Sequence, residues 1–82
     1  MNKVILYEYI NKLNKEDIIN FCKRKNIDAS MNEIDIIYSY IKNDYKRFLR
    51  KPDEIINEIK FKVSDNTFNE LIMLYNKYKI LL

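Results

Sequence analysis

The sequence predicts an all-α fold, a compact bundle of four to five short helices packed mostly as antiparallel neighbours. Three observations predict it. Apolar residues recur at spacings of three and four through most of the chain, as at Ile34, Ile37, Tyr38, Ile41, Tyr45 and Phe48. Helix-start signals stand before these runs. The chain has no glycine, so Asn, Asp, Ser and the single proline must mark its boundaries. The links they leave are about two to six residues long, which makes consecutive helices neighbours in space. Eighty-two residues hold one core, so residues 1–82 form a single domain.

The first segment, Val4-Ile5-Leu6-Tyr7, has strand-like propensity taken alone. A lone strand in a helical chain has no partner, however, and Ile5, Leu6, Tyr9, Ile10 and Leu13 fall on one side of a helical wheel. The segment is therefore expected to be a helix. Asn14 precedes Lys15-Glu16-Asp17, whose acids suit the positive end of a helix dipole, and Ile18, Ile19 and Cys22 follow at helical spacing. This predicts a second helix over residues 15–25, with Lys23, Arg24 and Lys25 in its last turn. Asn26 is expected to take the left-handed conformation that ends it, with Ile27 folding back as the apolar partner of a Schellman-type cap.

Ser30-Met31-Asn32-Glu33 has the pattern of a capping box and opens a third helix. Its apolar face carries it to about residue 50, either as one helix or broken at Asn43-Asp44. Pro52 pushes Lys51 out of helical geometry and suits the first turn of a fourth helix. Asp53 and Glu54 stand beside it, with Ile55, Ile56, Ile59 and Val63 as the buried stripe. Ser64 or Asp65 caps the last helix, which presents Phe68, Leu71, Ile72, Tyr75 and Tyr78 on one face.

Composition narrows the function. Hydrophobic residues make up 48% of the chain and charged ones 33%, with a net charge of +3, which describes a globular protein with only mild electrostatic steering. Cys22 is the one cysteine and there is no histidine, so a disulfide framework or a Cys/His zinc site is unavailable and a reducing, cytoplasmic setting is expected. Glu8 cuts the N-terminal apolar run to Val4, Ile5, Leu6 and Tyr7, too short for a signal sequence or a membrane span.

Catalytic chemistry finds no residues to carry it. The chain lacks a histidine base and a glycine-rich phosphate loop, and no nucleophile elbow surrounds Ser30, Ser39 or Ser64. Cys22 shares the apolar face of Ile18 and Ile19, where a neutral thiol acts as a small hydrophobe. Asp53, Glu54 and Glu58 fit a solvated helix face, with Glu58 paired to Lys62 one turn later. No catalytic residue, metal ligand, cofactor or small-molecule substrate is indicated.

Two binding surfaces remain. Residues 42–51 hold Lys42, Lys46, Arg47, Arg50 and Lys51 against only Asp44, a candidate ridge for phosphates in RNA or DNA. The interleaved Tyr45 and Phe48 face the core and are not free to stack on bases. The helix pair flanking residues 26–30 resembles a helix-turn-helix only in outline, because Glu33 and Asp35 would face phosphates and base acceptors. The other surface is apolar. Ile36 and Tyr40 lie one turn apart, away from the main stripe of the third helix, and Leu74, Leu81 and Leu82 widen the apolar surface of the last one. Ile36, Tyr40, Leu74 and Leu81 are thus the candidate protein interface, and a homodimer would stabilise so small a domain.

The run Leu13-Asn14-Lys15-Glu16-Asp17-Ile18-Ile19-Asn20-Phe21-Cys22-Lys23-Arg24-Lys25-Asn26-Ile27 resembles the opening of a family of short Firmicute proteins, the YqfT-like domain of unknown function. Over about residues 5 to 80 the order of signals is similar: a short first helix, a capped second, a turn, a further capped helix and two more. Asn26 stands where such sequences carry glycine. The resemblance implies a helical fold and a bacterial, cytoplasmic setting, and it implies no activity. The expectation from the whole sequence is a non-enzymatic, protein-binding or self-associating helical module, with nonspecific nucleic-acid binding as the alternative.

Overall fold

The computed structural model describes residues 3–78. It contains α1 (Lys3–Lys12), α2 (Lys15–Arg24), α3 (Met31–Arg50), α4 (Pro52–Lys60) and α5 (Asp65–Tyr78), with no strand among the described residues. The fold is a small all-α bundle, and its first segment is helix.

Each boundary has a local cause. Asn14 and Asp17 form a reciprocal capping box at the start of α2, each side chain accepting the other's backbone N–H at 2.9 Å. Asp17 thus does more than complement the dipole. At the far end Asn26 takes φ 56°, the left-handed region, and the N–H groups of Asn26 and Ile27 reach the carbonyls of Lys23 (3.3 Å) and Cys22 (2.9 Å). That is the Schellman pattern, with its apolar contact between the buried Ile27 and Cys22. Ser30 and Glu33 close the second box at 3.1 and 3.0 Å.

α3 continues unbroken through Asn43-Asp44. Side chains of this type disrupt helices by competing for backbone groups. Here they are otherwise engaged: Asn43 Nδ2 donates to Ser39 Oγ at 3.3 Å, and Asp44 accepts from Arg47 at 3.4 Å. Lys51, at φ −140° and ψ 70°, ends α3, and Pro52 begins α4 where its missing N–H costs nothing. Ser64 caps α5, its Oγ accepting from the Thr67 N–H at 3.2 Å.

α3 is the axis of the bundle. It packs against α1, α2 and α4, while α5 lies on α4 and sends Leu71 and Leu74 toward the core. Leu13, Ile18, Cys22, Ile27, Ile34 and Ile37 form the buried core cluster. Two expected stripes are displaced. On α1, Ile10 is buried and Leu6 half-buried, with Leu13 buried just past its end, but Ile5 and Tyr9 face solvent. A ten-residue helix with apolar residues on most sides can bury only the side that meets α3. α4 stops at Lys60, so Val63 reaches its half-buried position from the turn that follows, its N–H donating to the Ile59 carbonyl at 3.2 Å. The side chain of Tyr78 lies outside the described residues.

Candidate functional site

A chain of polar contacts runs along the seam between α3 and α4. Arg47 reaches Glu54 at 2.8 Å and also bonds Glu58 and Asp44. The Tyr40 hydroxyl donates to Glu58 at 3.1 Å and accepts from Lys62 Nζ at 2.8 Å. Hydrogen bonds from Arg47 and then, against some desolvation, from Tyr40 hold the Glu58 carboxyl below its ordinary range, while those to Glu58 and Glu54 hold the guanidinium firmly charged. The partner expected for Lys62, Glu58, is instead engaged by Arg47, and Lys62 turns to Tyr40. A cation eleven residues away in sequence leaves no trace in helical spacing.

The five basic candidates of residues 42–51 therefore have unequal surroundings. Lys42 Nζ donates to the carbonyls of Ile10 (3.0 Å) and Asn11 (2.9 Å), closing the C-terminal end of α1. Arg47 sits among three carboxylates. Lys46 lies over the Tyr7 ring, 5.6 Å from its centroid, and Arg50 and Lys51 are exposed. Only the last three present their charge outward.

The apolar candidates separate in the same way. Tyr40 belongs to the α3–α4 seam, Ile36 is half-buried, Leu74 packs on the core, and Leu81 lies outside the described residues. Phe61 is the most exposed of the described apolar side chains at 85%, but several fall together on α1, where Val4, Ile5 and Tyr9 are 64%, 62% and 65% accessible. Beside it runs a groove between α1 and α2 lined by Tyr9, Leu13, Ile18 and Phe21, with Asp17 and Arg24 among its polar residues. α1 and α2 make no close backbone approach that would shut it. Both short helices carry more apolar surface than α3 alone can cover.

At the opposite corner, Glu33 links three segments. Its carboxylate accepts from the Ser30 N–H, from the Ser64 N–H at 2.7 Å and from the Thr67 hydroxyl at 3.2 Å. Thr67 is fully buried and also receives the Ser64 hydroxyl at 3.1 Å. Partial burial opposes ionisation of Glu33, but the hydrogen bonds from Ser30, Ser64 and Thr67 outweigh it and bring the pKa down to about 2. The capping box made Glu33 legible, whereas its grip on α5 spans more than thirty residues and has no local signal.

The remaining reactive inventory is quiet. Burial pushes the Cys22 thiol up, away from the reactive thiolate. Among the described residues no group of three or more Cys, Asp or Glu is placed to hold a metal ion, and no helix is long and apolar enough to cross a membrane. No protein-family model, curated protein or solved structure matches the chain.

Proposed function

We propose that the chain is a small, non-enzymatic helical module that binds protein through the outer face of α1, a second copy of itself being the first partner. The observation that carries this reading is the exposure of Ile5 and Tyr9, one turn apart on a helix whose adjoining side is committed to the core, with Val4 exposed at its start. Apolar side chains gathered on one face mark interaction surfaces far more often than single exposed ones do. A carboxylate poised near neutrality is what acid–base catalysis needs, and Glu33 and Glu58 are instead held low. The single, buried Cys22 accords with a reducing, cytoplasmic compartment.

Sedimentation equilibrium from micromolar to millimolar concentration tests the proposal. The expected result is a reversible dimer that Ile5→Glu/Tyr9→Glu converts to a monomer with unchanged helicity, since neither position supports the core. A strict monomer across that range removes self-association. A second reading, nonspecific binding of nucleic acid, draws on the outward charge of Lys46, Arg50 and Lys51. Three phosphate contacts give a salt slope of about −2.7 in log–log form on duplex DNA. No anisotropy change with RNA or DNA at low salt would remove it.

A further inference from the structure

Among the exposed aromatic rings Tyr7, Tyr9 and Phe61, Tyr7 is the one that borders the basic edge of α3. Its side chain is 46% exposed, and the half-buried Tyr45 ring lies against it, tilted by 54° with centroids 6.1 Å apart. The backbone holds it there too. Lys42, one turn before Lys46, binds the carbonyls of Ile10 and Asn11, which ties α1 to this stretch of α3 and keeps Tyr7 beside the cations. Lys46 and Arg50 stand one turn apart, about 6 Å along the helix, and Lys51 follows at its end. None of these three pairs with a carboxylate among the described residues, whereas Arg47, on the α4 side, is shared by three. In the sequence the only rings among these cations are the core-facing Tyr45 and Phe48, and the exposed one comes from another helix.

We propose that this edge binds single-stranded nucleic acid, with one base stacked on Tyr7 and the flanking phosphates on Lys46, Arg50 and Lys51, an inference that rests on the nucleic-acid reading and narrows it to unpaired strands. Charge alone does not choose between duplex and single strand. The ring does. In a duplex the base faces are buried in the stack, while an unpaired base of any identity can lay its face on a tyrosine. Lys46 covers the Tyr7 ring only by an exposed cation–π contact, weaker than base stacking, and exchanges it for a charge-assisted bond when it moves to the adjacent phosphate. Ile5 and Tyr9 lie on the far side of α1 from Tyr7, two residues away in either direction, so self-association leaves the site open.

The test is fluorescence anisotropy of the full chain at low salt with three labelled probes of equal length, about twelve nucleotides: an oligothymidylate, its abasic counterpart and a duplex. The thymidylate strand is expected to bind about tenfold more tightly than the abasic one, with a log–log salt slope of about −2.1 for three phosphate contacts. Tyr7→Leu should lower its affinity to the abasic level without changing that slope or the affinity for duplex, and Tyr7→Phe, which keeps the ring, should retain it. Lys46→Gln and Arg50→Gln should each lessen the slope by about 0.7. Equal affinity for the thymidylate and abasic strands in the unaltered chain overturns the stacking site whether or not a variant folds, and leaves charge-driven binding standing. Slopes unchanged in both lysine and arginine variants overturn the assigned phosphate contacts. No binding of any probe removes the site and the nucleic-acid reading together.

Discussion

The two halves of α3 are built differently. Its N-terminal half contributes Ile34 and Ile37, both buried, and its first turn holds Glu33 between Ser30, Ser64 and Thr67. The C-terminal half contributes Ile41, Tyr45 and Phe48, all half-buried, and together with Ile37 and Tyr40 they border an apolar cavity of about 310 Å³. Polar contacts brace its edges, Lys42 on the end of α1 and Arg47 toward α4. Phe48 meets Tyr75 of α5 edge-on, ring centroids 5.6 Å apart. One helix thus carries a close-packed, capped end that fixes the fold and a looser end beside open space.

The largest effects should come from the packed half. Ile34→Ala leaves a new hole where the neighbours cannot collapse and should cost about 3 kcal/mol in urea unfolding. Ile72→Ala enlarges a space already open and should cost only about 1–2 kcal/mol, chiefly the transfer of its methyl groups. Equal costs at the two sites would erase the distinction between the halves.

Next in size is the clamp. Glu33→Gln loses the charge-assisted acceptor of the Ser30 and Ser64 N–H groups and should destabilise the chain by about 1–2 kcal/mol at pH 7. The sign with pH follows from the depressed pKa. The contribution of Glu33 is fully present above its unfolded value near 4.5 and fades as pH falls toward about 2. The gap between Glu33→Gln and the unaltered chain should therefore close over that window. A gap independent of pH would mean that the carboxylate charge is not what joins α3 to α5.

How much of this was legible in the sequence depended on distance along the chain. Ser30-x-x-Glu33, Asn26 before Ile27, and Pro52 after Lys51 are local signals, and each marks a real boundary because its cause lies within one turn. The division of α1 was hidden. Ile5 and Tyr9 satisfy helical spacing as well as Leu6 and Ile10 do, and only the position of α3 decides which pair is covered. The fates of Tyr40 and Arg47 likewise depend on Glu58, supplied by another helix. Cavity volume is a property of how well five helices fit, and periodicity carries no measure of fit.

The smallest expected effect has the opposite sign. Tyr45→Phe removes a buried hydroxyl that has no hydrogen-bond partner among the described residues and should stabilise the chain by up to about 1 kcal/mol. A loss of stability would show that this hydroxyl is satisfied in solution.

Native-state hydrogen exchange along α3 tests the contrast most directly. The amides of residues 34–38 should exchange only through global unfolding, with full denaturant dependence, while those of residues 45–49 should open earlier by a smaller, sub-global step. Uniform protection over the whole helix, or greater protection at its C-terminal end, would contradict the account.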